Sequence, residues 1–357
     1  MRSYKDIGLY SNPFTIKASY DHNDLKRFPF LVTETQKILK GFLEGIIYSP
    51  YEDTPGYYVI LGERGSGKTT TLLWLDTIIK ELNDKNICSK YERSIRGMGS
   101  LHNLAMKLLP SVRTTYIEDA KFRLESFLQG KKYFWFIDVP DRTTPKELDM
   151  LTEGLEILLG FKNISIFIAM NKSHYNKTFE FSEIMGKFTQ VTLKPFSFQE
   201  TKKLIEERIK RFQIEKDKQI ELFTNEAIEK IHTISKGIPR NILSVCDFLL
   251  SSFLQTDEKI IDIDFVENIA GEDIAKKIIN ERIENNAKRE ALLKLYSFLK
   301  EKKIIENQEK LISEISEKFG ICRITVIKRL RELEKLGLIE IEKSIKDSWT
   351  NIIRVVV

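Results

Sequence analysis

Two rhythms of apolar and polar residues divide the chain. As far as Leu193, short apolar runs of strand length interrupt stretches with helical spacing. Tyr57–Leu61, Tyr133–Ile137, Ile164–Met170 and Gln190–Leu193 are such runs, and the stretch Ile87–Ile95 supplies another strand. Thr33, with Gln36 three residues on, opens a helix through a capping box, and Ile38, Leu39, Phe42, Leu43 and Ile46 form its apolar face. Thr69–Leu82 is helical in pattern. Thr144-Pro145-Lys146-Glu147 combines a cap, a proline at the first helical position and an acid at the third. Strands separated by helices predict a parallel sheet covered on both faces.

From Ser197 the helical rhythm stands alone. Ser197-Phe198-Gln199-Glu200 is another capping box, and helices are expected to about Arg211, over Asn225–Ser235 and over Arg240–Phe253. Gly237 and Pro239 separate the last two. Residues 289–357 then read as helix, helix, turn, helix and a two-stranded hairpin. Ala291–Leu299, Leu311–Phe319 and Arg323–Leu336 are the helices, with Val326, Leu330 and Leu333 facing the core. Leu338–Ile341 and Ile352–Val356 are the strands, joined by a loop carrying Lys343, Lys346 and Trp349. The expected domains are an α/β base over 1–196 with an N-terminal extension, a helical lid over 197–256, a helical connector over 257–288 and a winged helix-turn-helix over 289–357.

Length and composition fit this division. A chain of 357 residues, 42% hydrophobic and 31% charged, has room for two or three domains and is neither disordered nor fibrous in composition. Cys88, Cys246 and Cys322 are too few and too scattered for a disulfide framework or a zinc site, which fits a reducing cytosol. No apolar run is long enough for a membrane span. Net charge is +5, and its placement is uneven. Residues 285–357 hold 16 Lys+Arg against 11 Asp+Glu, which leaves 41 of each sign in the rest of the chain. The whole excess lies in this last fifth of the chain, and a local basic excess suits a polyanion such as nucleic acid.

The strand at Tyr57–Leu61 runs into Gly62-Glu63-Arg64-Gly65-Ser66-Gly67-Lys68-Thr69-Thr70. This is G-x-x-x-x-G-K-[ST] between a strand and a helix, the setting a phosphate-binding loop requires. Its glycines let backbone N–H groups wrap phosphate, and the helix N-terminus adds positive potential. Lys68 is expected at the β- and γ-phosphates, and the Thr69 hydroxyl on Mg²⁺. A second Mg²⁺ ligand belongs at the end of a neighbouring strand. Asp138, after four aromatics and an isoleucine, fits that place. Asp141 is the next carboxylate. It could orient the attacking water or cap the turn before Thr144. Asn171 ends the strand Ile164–Met170, where it could sense the γ-phosphate or simply belong to a loop. Arg240, fixed in the first turn of a lid helix, could report the γ-phosphate or lie on the surface.

Taken together, these motifs resemble AAA+ ATPases over roughly residues 10–255. Within that superfamily the winged C-terminus resembles the archaeal and eukaryotic origin-recognition replication initiators. Asn12-Pro13-Phe14 and the run from Phe223 to Asn241 resemble the ATPases of transposition target selection and their secretion-associated relatives. The resemblance implies ATP or ADP with Mg²⁺, ATP-dependent assembly on duplex DNA, and self-assembly or partner subunits. Two departures from that pattern stand out. Many related ATPases carry Glu directly after the Mg²⁺-binding Asp, whereas this chain has Val139. They also present an Arg to a neighbour's ATP from before the fifth strand. Here residues 143–207 contain no Arg, and Lys187 takes that place. A Lys neutralises charge but makes no two-pronged contact. A slow nucleotide switch is therefore the alternative to a fast ATPase.

The third helix of the C-terminal domain fits a DNA major groove, with its N-terminal residues at the base edges. Arg323, Thr325, Lys328 and Arg329 are its candidate contacts, and Lys343 and Lys346 are candidate phosphate contacts from the wing. A protein-binding winged helix is the competing reading.

Overall fold

The computed structural model describes the chain apart from residues 1, 16–20, 29, 52–53, 94, 96–97, 109–116, 142, 177–182, 218–219, 271–274, 277, 281–282, 284, 303, 306–307, 337, 344–350 and 356–357. The chain divides into two compact units, residues 17–194 and residues 1–16 with 195–357.

The first unit is an α/β layer structure. Its elements are α1 (His22–Arg27), α2 (Glu34–Ile47), β1 (Tyr57–Leu61), α3 (Lys68–Leu82), β2 (Ile87–Glu92), α4 (Leu101–Leu108), α5 (Ile117–Leu128), β3 (Lys132–Asp138), α6 (Pro145–Leu158), β4 (Ile164–Met170), the short α7 (Lys172–His174) and β5 (Thr189–Thr192). All five strands are parallel, in the order β2-β3-β4-β1-β5. Alternate side chains of each strand point to opposite faces, so the sheet has two cores. Trp135, Ile137, Ile164, Ile166 and Ile168 pack against α4, α5 and α6. Phe134, Phe136 and Phe167 pack against α2 and α3. Burial on both faces is why β3 and β4 read as continuous apolar runs.

The expected helix starts are observed. Thr33 with Gln36 and Thr144 with Glu147 form capping boxes. One detail differs: Ile38 is 52% exposed, and Leu39, Leu43, Ile46 and Ile47 form the buried stripe of α2. Ile38 lies one position before Leu39, about 100° round the helix from it, and so falls outside the contact with the sheet. Helices α1, α4, α5 and the short α7 were not predicted.

The second unit is helical, with a small antiparallel sheet. It holds α8 (Phe198–Phe212), α9 (Asn225–Ser235), α10 (Pro239–Phe253), α11 (Ile263–Ala270), α12 (Asn286–Lys302), β6 (Ile304–Ile305), α13 (Gln308–Phe319), α14 (Arg323–Lys335), β7 (Ile339–Lys343) and β8 (Asn351–Val355). Ser197 and Glu200 cap α8 as predicted. The N-terminal stretch, expected as an extension of the α/β base, belongs to this unit instead. Phe14 stacks edge-on to Phe223 at 5.9 Å, Asn12 donates to Asp247 at 2.6 Å, and Tyr10 N–H donates to the Phe212 carbonyl at 2.8 Å. Between α9 and α10, Gly237 adopts φ +64°, and a Cβ there would collide with the Phe196 backbone. The last three helices carry the sheet β6-β8-β7, the arrangement of a winged helix-turn-helix. Sequence reading missed β6, which is only two residues long.

Candidate functional site

The register of the parallel sheet assembles the site in the first unit. Leu61 lies opposite Met170, and Asp138 opposite Ala169. The residues that follow β1 and β4 therefore meet the end of β3 at one edge. The turn after β1 needs its glycines. Gly65 and Gly67 have φ of +87° and +95°, a region other residues rarely enter, and a Cβ on Gly62 would overlap the Ser66 hydroxyl. Such a turn directs successive N–H groups into one concavity, which α3 then extends.

Two buried charged side chains occupy this edge. Lys68 is 8% exposed. Its ammonium donates to the Gly62 and Glu63 carbonyls at 2.9 and 2.8 Å and to Asn171 Oδ1 at 2.9 Å. Asp138 is 6% exposed and accepts from the Thr69 hydroxyl at 2.7 Å. Buried charge is costly unless partnered, and here each has polar partners. The Asn171 amide donates to Asp141 Oδ1 at 2.5 Å, and Asp141 Oδ2 lies 3.5 Å from Arg64 Nε. Lys68, Asn171, Asp141 and Arg64 thus form one chain of contacts. Asp141 does not cap α6, because Thr144 does so with Glu147.

The residues fit a nucleotide phosphate with Mg²⁺. The Ser66 hydroxyl is buried without a hydrogen-bond partner among the described residues. Thr69 and Asp138 supply a hard hydroxyl–carboxylate pair, to which Mg²⁺ would add phosphate oxygens and waters. Val139 occupies the position after Asp138. It is buried, and its N–H donates to the Ala169 carbonyl at 2.9 Å, so it only continues the strand.

The sequence reading did not find Tyr91. Its hydroxyl donates to Asp138 Oδ2 at 3.0 Å. Burial pushes its pKa well above the usual phenol value and the Asp138 charge adds to the shift, so it remains a donor. Tyr91 is held from behind. The fully buried Asp76 accepts from Lys80 and Ser89 at 2.7 and 2.5 Å and meets His22 Nε2 at 2.6 Å, tying α1, α3 and β2 together. The His22 ring stands edge-on to that of Tyr91. Only the pairing of β2 with β3 reveals this, and no local motif signals it.

Lys187 and Arg240 come from other elements. Lys187 is exposed in a 3₁₀ turn before β5, towards the opposite edge of the sheet from the phosphate loop, and does not join the site within one chain. Arg240 is in the first turn of α10, half-buried, in the other compact unit.

The basic candidates of the C-terminal domain are sorted by the faces of α14. Val326, Leu330 and Leu333 are buried as predicted. On the opposite side, Ile324, Lys328, Arg331 and Lys335 are all exposed. Arg329 lies at the flank, half-buried, so the outward cation of that turn is Arg331. Thr325 is half-buried with its hydroxyl 3.1 Å from Cys322 Sγ, and Arg323 is exposed and paired with Glu309 at 2.5 Å. Lys343 ends β7 opposite Asn351, and Lys346 lies outside the described residues.

No family model matches the chain, and no curated protein matches it. Solved structures do resemble it. Orc1 of Aeropyrum pernix in complex with DNA is 14% identical, with a TM-score of 0.49 over 92% of this chain and 90% of that one. Drosophila ORC bound to DNA is 16% identical, with 0.48 over 96% and 91%. Cdc6p of Pyrobaculum aerophilum is 16% identical, with 0.47 over 96% and 93%. At such identities a shared shape says nothing of shared activity.

Proposed function

We propose that the chain is an ATP-binding, DNA-binding protein of the AAA+ type, acting as a nucleotide switch in a replication-initiator-like role. The observation that carries the nucleotide half is the constellation of Lys68, Thr69 and Asp138 around a glycine turn with an unpartnered buried Ser66 hydroxyl. ATP would place its β- and γ-phosphates on the loop N–H groups and Lys68, and Mg²⁺ on Thr69 and Asp138. Mg²⁺ would neutralise charge at the γ-phosphate. Asn171, bonded to Lys68, is the residue positioned to respond to that phosphate, and Arg240 is proposed from sequence for the same task. Measuring MgATP binding to the full chain and to Lys68→Ala tests the reading. We expect micromolar binding that drops by about 10²-fold or more in the variant. Equal affinity in both would overturn it.

A slow switch is favoured over a fast motor by one observation: the position after Asp138 is a buried Val139. Asp141 is the next carboxylate along the chain, and it is occupied by Asn171 and Arg64. The water-orienting role proposed for Asp141 would require that bond to loosen. Turnover of only a few ATP per hour with tight binding would support the switch, and turnover near 1–10² per second would support the motor.

The DNA half is supported by the outward cations of α14 and by the basic excess of residues 285–357. Duplex DNA is the proposed partner. Transposition or mobile-element regulation is the alternative biological setting, and a protein-binding winged helix is the alternative partner class.

A further inference from the structure

The outward face of α14 is not uniformly charged. Positions 324, 328, 331 and 335 are spaced four, three and four residues apart, so they share one side of the helix. Lys328, Arg331 and Lys335 carry its charge, and none has an ion-pair partner among the described residues. The fourth member, Ile324 in the first turn, is 65% exposed. The neighbouring acid Glu332 is taken up by Lys288 of α12 at 2.5 Å, which leaves the stripe cationic. A large apolar side chain on an otherwise cationic face suits a partner that is anionic overall and apolar at one point.

Duplex DNA has one such feature. Each base pair presents donors and acceptors in the major groove, and the thymine C5-methyl is the apolar group among them. The stripe runs about 16 Å along the helix, from Ile324 to Lys335, at 1.5 Å per residue. In helix-turn-helix docking the first turn meets the base edges and later residues meet the backbone. We propose that Ile324 packs against a thymine C5-methyl and so selects thymine at one position of the site, while Lys328, Arg331 and Lys335 hold the flanking phosphates and base edges. This rests on the DNA-binding half of the proposed function.

The test starts from a random-sequence duplex pool selected for binding to the full chain. Each thymine of the selected site is then replaced singly by uracil, which removes the methyl and nothing else. At one position we expect wild-type binding to weaken roughly fourfold, the worth of one buried methyl group. Ile324→Ala should bind thymine and uracil alike at that position with its salt dependence unchanged, and Ile324→Val should retain part of the discrimination. Uracil tolerated at every position, or an Ile324→Ala variant that still discriminates, would overturn the assignment while leaving DNA binding intact. If no duplex is bound even at low salt, the DNA-binding reading itself fails, and this inference with it.

Discussion

The phosphate loop and the outer face of α14 both gather positive charge, in opposite ways. At the loop a single ammonium, Lys68, is buried and donates to two carbonyls and an amide oxygen, with the carboxylate of Asp138 close behind the next residue. On α14 the cations project outward, and their acidic neighbour Glu332 is drawn off by Lys288. The first arrangement suits a ligand that enters a concavity and replaces existing partners one for one. Its selectivity comes from geometry, and salt screens it little because it is buried. The second suits a large polyanion met at the surface. It works by releasing counterions, so it weakens steeply as salt rises. The two proposed anion sites can thus be told apart by their response to salt and to Mg²⁺.

The comparison can be broken first at the metal. Asp138→Asn should reduce the strengthening of ATP binding by Mg²⁺ about a hundredfold, measured by titration with and without the ion, because a neutral amide cannot replace the carboxylate. Duplex binding in the absence of nucleotide should be unchanged. Tyr91→Phe removes the hydroxyl that orients Asp138, and we expect about a tenfold loss of Mg²⁺ affinity, the usual size of such a supporting contact. The same variant should leave Mg²⁺-free ATP binding unaltered. The smallest effect concerns the turn that precedes Arg240. His232 lies under Gly237 with its Nδ1 2.9 Å from the Thr201 hydroxyl. Burial lowers its pKa, against which the Glu229 charge acts. The unfolded chain therefore binds that proton more tightly, so stability is retained above about pH 6.5 and lost as pH falls through it. A thermal melt should drop by a few degrees between neutral pH and pH 5, and His232→Gln should remove the part of that drop due to this group.

The two regions also differ in how plainly the sequence declared them. The phosphate loop is a contiguous motif whose every residue has a local reason, and Asp138 was marked by the apolar strand before it. The capping boxes of α2, α6 and α8 were equally local. Tyr91 was not legible, because its role depends on which strand pairs with β3 and in what register, a long-range choice. The same holds for residues 1–16, which join the helical unit through contacts with residues more than 200 positions away. On α14 the difficulty was of another kind. Once Val326, Leu330 and Leu333 are set in the core, 100° steps place Arg331 outward and Arg329 at the flank. The face is legible from spacing there, whereas closeness in sequence alone points to Arg329.

The salt dependence of the two ligands, measured on the same protein, tests the central contrast most directly. Duplex binding and MgATP binding would each be followed from 50 to 200 mM salt, for wild type and for Lys328→Ala with Arg331→Ala. Duplex affinity should fall with a log–log slope that becomes shallower by about two in the double variant, one for each lost phosphate contact. MgATP affinity should change little with salt and not at all with the substitutions. A duplex slope identical in both proteins, or MgATP binding weakened by the α14 substitutions, would contradict the assignment of two independent anion sites.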